Sequence, residues 1–147
     1  MSWTSLDDIF KQWEIDSKID PIILHSESLH IAPLQCKYQK LLANERIYLL
    51  KLEYNYKLLY RQKYEFLTQG PTEKTEELEW KLPPRGCVLK ADVAMYLESD
   101  LDLDSAQQRL TKCKECIRVL EDILKSLSQR SFNIKNAIDF IKFQAGE

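Results

Sequence analysis

The strongest periodic signal lies at the C-terminal end of the chain. Leu103, Ala106, Leu110, Cys113, Ile117, Leu120, Leu124 and Leu127 follow one another at alternating steps of 3 and 4. The register runs on through Ser131, Ile134, Ile138, Ile141 and Ala145, six heptads in all. A 3.5-residue repeat of this length keeps one apolar stripe facing a partner helix as the pair supercoils. Phe132, Phe140 and Phe143 lie off that stripe, so the region holds more apolar surface than one helix pair covers. A chain this small closes too little interior to bury the excess alone, which predicts an obligate homo-oligomer.

Upstream, residues from Leu34 to Thr68 contain no Pro or Gly, and leucines and tyrosines recur every three or four positions up to Gly70-Pro71. This predicts one helix of about 50 Å at about 1.5 Å per residue. Near the N-terminus, Ser5 can cap a short amphipathic helix with Asp7 and Asp8 in its first turn and Leu6, Ile9, Phe10 and Trp13 as apolar positions. Asp20-Pro21 reads as an N-cap followed by proline at the first helical position, with IILHSESLHIA continuing as helix until Pro33 kinks or restarts it. The segment PTEKTEELEWKLPPRG, with three prolines and four glutamates, predicts an exposed, poorly rigid connector. CVLKADVAMYLESD is ambiguous between a strand and a two-turn helix, and helix is preferred. The fold class is therefore all-α, built of long helices, with a C-terminal amphipathic heptad region that assembles the chain. Residues 1–104 form an N-terminal helical region, with a long basic helix over 33–69 and an acidic connector over 71–86, and residues 105–147 form the oligomerisation region.

The 147 residues fit one domain, and the net charge of −2 conceals opposite surpluses along the chain. Residues 1–32 carry −4, residues 33–70 carry +4, residues 71–104 carry −5 and residues 105–147 carry +3. Local potential decays over about 8–10 Å at physiological salt, so distant acids do not cancel the basic block, and a polyanionic partner is compatible with the total.

Three glycines without GxGxxG or GxxxxGK[ST] spacing offer no loop to cradle phosphates, which disfavours nucleotide hydrolysis and Rossmann-type redox chemistry. His25 and His30 fall about 140° apart on a helix and have only Cys36 nearby in sequence, so no zinc site is expected. Asp100, Asp102 and Asp104 alternate as an EF-hand loop begins but lack the glycine and glutamate that such a loop needs, and capping by Asp104 explains them better. Cys113-x-x-Cys116 lies mid-helix with no second pair and reads as core. No activated-nucleophile arrangement occurs. A non-enzyme without cofactor or metal is expected. With no apolar run of 18 residues and no secretory head, the protein is expected in the cytosol, away from membranes, with its four cysteines as thiols.

Within the long helix, Tyr54, Lys57, Arg61 and Tyr64 follow at steps of 3, 4 and 3, which places two cations and two rings on one face, with Tyr56, Tyr60 and Lys63 beside them. Cations for a phosphate backbone and rings for bases suit a single strand. A second reading stands beside it: the tyrosines pack a bundle core and the cations solvate a surface.

The C-terminal run SQRSFNIKNAIDFIKFQAGE, with Arg130-x-Phe132-x-Ile134-Lys135 and Phe143-x-Ala145-Gly146, resembles the end of the UvsY family, the recombination mediators of T-even-type phages. Ile19-Asp20, Lys37-Tyr38, KLLYRQKYEFLT at 57–68 and VLKAD at 88–92 extend the likeness over residues 19–147, leaving the N-terminal helix and the proline-rich connector as departures. The resemblance implies a ring-like homo-oligomer, a hexamer or heptamer. It also implies binding of single-stranded DNA, weakening of the hold of the phage single-stranded-DNA-binding protein, and loading of a UvsX-type recombinase in the infected host cell. It assigns DNA contact to two basic residues two apart, here Arg61 and Lys63. On both grounds the expected DNA-binding set is Lys57, Arg61, Lys63, Tyr54, Tyr60 and Tyr64. The expected assembly set is Leu110, Ile117, Leu120, Leu124, Leu127, Phe132, Ile134, Ile138 and Ile141. A coiled-coil scaffold that binds only protein partners is the competing reading.

Overall fold

The computed structural model describes residues 5–147, and among these it contains six helices and no strand: α1 (Leu6–Asp16), α2 (Leu24–Leu29), α3 (Ile31–Gln69), α4 (Glu73–Glu77), α5 (Val93–Glu98) and α6 (Leu101–Gln144). The all-α class follows from the periodicities. No helix among the described residues is long and apolar enough to cross a membrane.

Local rules set most boundaries. Ser5 and Asp8 form a capping box at the start of α1, each side chain bonding the other's backbone N–H, which satisfies two donors that the helix cannot. Pro33 lies in the first turn of α3, where its missing N–H removes no helical bond, so it starts that helix instead of kinking it. Gly70 stops α3 in the left-handed region, at φ 93°, with its N–H on the Phe66 carbonyl.

Two expectations change. Asp20-Pro21 opens a turn and not a helix: Asp20 Oδ1 accepts the Ile22 N–H at 2.9 Å, and α2 begins three residues after Pro21, at Leu24. A short side chain that bonds the backbone two residues on competes with helix formation. The connector is also more ordered than its prolines suggested. Thr72 and Thr75 cap α4 reciprocally. Glu79 takes φ 59° after α4, and the Trp80 N–H returns to the Thr75 carbonyl at 3.1 Å, a helix stop with glutamate where glycine is usual.

Packing divides the chain into two units, each made by contacts along the fold. One comprises the described residues up to Tyr48 with Lys112–Glu147, and the other is Leu49–Thr111. The first has a core of Ile9, Leu34, Tyr38, Leu42, Val119, Leu120, Ile123 and Leu127, with Leu6, Trp13, Leu41, Ile117 and Leu124 packed against it. The second is centred on Phe66, Leu67, Val93, Leu97 and Leu103, with Tyr56, Leu59, Tyr64 and Trp80 around them.

Candidate nucleic-acid interface

Within Leu49–Thr111, α3 turns one side inward through Phe66, Leu67, Leu59 and Tyr56. A 3.6-residue period then turns Leu50, Tyr54, Lys57 and Arg61 outward, at steps of 4, 3 and 4. Tyr54 is 65% exposed and Tyr60 43%, and Lys57 and Arg61 are exposed. Arg61 Nε lies 3.8 Å from Glu65 Oε1, an exposed i,i+4 contact. Such pairs contribute about 0–1 kcal/mol, so the guanidinium remains available to an anion. Tyr60 also keeps a ring neighbour, Tyr56, with centroids 6.4 Å apart.

Two members of the expected set lie off that outward face. Tyr64 is half-buried against the second core, as the bundle reading of the tyrosines required. Lys63 is only 7% exposed. Its Nζ lies 2.7 Å from Asp102 Oδ2, 3.2 Å from Asp100 Oδ1 and 4.0 Å from the centre of the Trp80 ring. A buried ammonium needs this compensation, and here the chain's own groups supply it, so the amine does not stand open to phosphate. Asp100, not Asp104, caps α6: its Oδ2 accepts the Leu103 N–H at 3.0 Å, whereas Asp104 bonds the Gln108 side chain. Trp80 meets Phe66 edge to face at 5.6 Å.

The expected assembly residues are also divided. Leu110, Leu120, Leu127 and Ile134 are buried within the chain itself, and Ile117, Leu124 and Ile138 are half-buried. Phe132 and Ile141 remain exposed, together with Phe140 at 60% and Phe143 at 78%. Near its C-terminal end α6 buries Arg130 and Ile134 while Ser131 is exposed. An α-helix turns every 3.6 residues, so a strict heptad stripe drifts by about 20° per heptad from a fixed neighbour unless the helices supercoil.

Two groups in the first unit escaped the sequence reading. Glu45 is 4% exposed, continues the Leu34, Tyr38, Leu42 stripe, and has the Cys113 Sγ 3.5 Å from its Oε2. Burial raises its carboxyl above the ordinary value, and the thiol contact offsets this only in part. Burial, then the charge of Glu45, raises the Cys116 thiol. The one available signal was a carboxylate on an apolar stripe. The second group is Asp16, whose carboxylate accepts from Lys37 Nζ at 2.7 Å and the Tyr38 hydroxyl at 2.8 Å. Burial alone would raise it, but those bonds and the charges of Lys37 and Arg130 outweigh burial and hold it below its ordinary value. Burial, then the bond to Asp16, raises the Tyr38 hydroxyl. Cys113 and Cys116 are buried, as a core reading of that pair requires. Among the described residues no cluster of His, Cys, Asp and Glu has the makings of a metal site.

The arrangement is an all-helical protein with a cationic and aromatic helix face, and solved recombination mediators share its fold. Crystal structures of the bacteriophage T4 recombination mediator protein UvsY match it in several lattice forms. Lattice type II gives a TM-score of 0.79 at 18% identity, covering 95% of this chain and 97% of that one. Lattice type I gives 0.79 at 17% identity, covering 93% and 98%. No curated protein sequence matches the chain. The family described as "Recombination, repair and ssDNA binding protein UvsY" matches residues 12–147, and the chain belongs to it. That match takes in the connector and the last turn of α1, which the sequence likeness had left uncovered.

Proposed function

We propose that this protein is a recombination mediator that binds single-stranded DNA and promotes loading of a UvsX-type recombinase onto DNA covered by single-strand-binding protein. It acts by binding and not by catalysis, in the cytoplasm of the infected bacterium. The observation that carries the reading is the outward face of α3, where Tyr54, Lys57, Tyr60 and Arg61 stand exposed in a chain of this family. Two cations per chain make a weak site. Repeated around a homo-oligomer, the same site grips a flexible polyanion by avidity, because each further contact is intramolecular. Phe132, Phe140, Ile141 and Phe143 are the surface that such assembly would cover. The last turns of α6 are exposed on every side, unlike its buried middle.

Titrating fluorescent oligo-dT with the full chain at 50 and 200 mM salt tests the reading. Stacking and phosphate contacts predict binding with little base preference that weakens steeply with salt. Absent or salt-insensitive binding removes the mediator and leaves a scaffold that meets only proteins.

A further inference from the structure

Asp100 and Asp102 hold the same amine but differ in what else they do. Asp100 also caps α6 through the Leu103 N–H, and its side chain is 22% exposed. Among the described residues the Asp102 carboxylate bonds Lys63 alone, and its side chain is 57% exposed. Rotation of one side chain into solvent therefore frees one of the two anions on Lys63 without disturbing a helix end. Beside the amine lies an open cavity of about 420 Å³, whose wall also includes Lys81, Ser99 and Glu79, one further cation, one further donor and one further carboxylate, so cations and carboxylates balance there only once Asp102 has turned away.

A lysine this buried is stable only with an anion beside it. An incoming phosphodiester satisfies that requirement as a carboxylate does, so the two can exchange without leaving the amine uncompensated. We propose that Asp102 is an internal competitor for DNA phosphate: it occupies Lys63 in the free protein and yields it to a phosphodiester that enters the cavity. The second unit thus holds a gated phosphate subsite in addition to the open cations Lys57 and Arg61. This rests on the single-strand-binding reading above. Asp100 and Trp80 keep the amine in place throughout, so what changes on binding is one anion. A recessed amine also favours a flexible strand, whose backbone can bend into the cavity, over a stiff duplex.

The test is oligo-dT binding by the full chain across 50 to 200 mM salt. Asp102→Asn binds more tightly than the unaltered protein, and its salt dependence steepens by about 0.7 in log–log slope, because the one phosphate neutralised at Lys63 is no longer offset by a released carboxylate. Adding Lys63→Met to Asp102→Asn abolishes both gains. Asp104→Asn removes the same charge two residues away, from a carboxylate that bonds Gln108 at 2.9 Å, and leaves the slope where it was. Asp102→Thr is read in parallel, and whichever variant keeps its helical circular dichroism decides. The gate is overturned by unchanged or weaker binding of the folded variant, by a gain that survives Lys63→Met, or by an equal gain in Asp104→Asn. If the unaltered protein does not bind at all, the proposed function fails and the gate with it. If it binds but Asp102→Asn behaves identically, the gate alone fails.

Discussion

Arg130 reaches from α6 to the end of α1 and donates from Nη2 to the main-chain oxygen of Asp16 at 2.8 Å, across 114 positions of sequence. Its guanidinium also lies 5.6 Å from the centre of the Trp13 ring, and the residue is 5% exposed. The arginine in the C-terminal run that resembles the family is thus a structural tie within the first unit. Arg130→Met is expected to lower stability by about 2 kcal/mol, the loss of a buried charged hydrogen bond with most of the packing retained. Chemical denaturation followed by circular dichroism measures it, and an unchanged midpoint would refute the tie.

The carboxylate of the same Asp16 makes that unit acid-sensitive. Its folded value lies below the unfolded one, so its contribution is present above the unfolded value of 3.8 and is lost as pH falls through the folded value. Asp16→Asn should flatten the acid limb of a melting-temperature profile below the unfolded value of 3.8, where Lys37 and Tyr38 lose their charged acceptor.

Glu45 has the opposite sign. Its carboxyl is raised in the folded state, so stability falls as pH rises from the unfolded value of 4.5 through the folded one. Glu45→Gln removes the ionisation and is expected to melt higher than the unaltered protein at pH 8, with the gap closing near pH 4. Parallel melting curves at the two pH values decide it.

On the α3 face, Lys57→Ala with Arg61→Ala should lower the log–log salt slope of oligo-dT binding by about 1.4, two contacts at about 0.7 each, and weaken binding at 50 mM salt. Sedimentation should stay as it was, because neither side chain packs in a core. Undiminished affinity would show that the strand runs elsewhere.

Assembly should respond to Phe140→Asp with Phe143→Asp, which are exposed, by a shift to smaller species in sedimentation velocity while helicity is retained. Ile134→Asp is a different experiment: Ile134 is 3% exposed, so a carboxylate there should unfold the first unit. An oligomer unaffected by the two phenylalanine changes would place the interface elsewhere.

The extents of the two long helices, the Ser5 cap and the Gly70 stop were legible in the sequence, because they depend on backbone geometry and on side chains within four residues. Position on a helix also made Tyr54, Lys57 and Arg61 one face. The sequence could not reveal that Lys63, two residues from Arg61, is occupied. Its partners lie 37 and 39 positions away, on a capping residue and its neighbour that looked like ordinary acids at a helix start. Trp80 was hidden in the same way, in a segment whose composition suggested exposure. The heptad stripe in turn fixed a covered face for α6 but not the identity of its cover. Local periodicity determines which residues share a side of a helix. Whether that side meets solvent, a second copy or the chain's own core depends on contacts between distant segments, and only the folded chain establishes those.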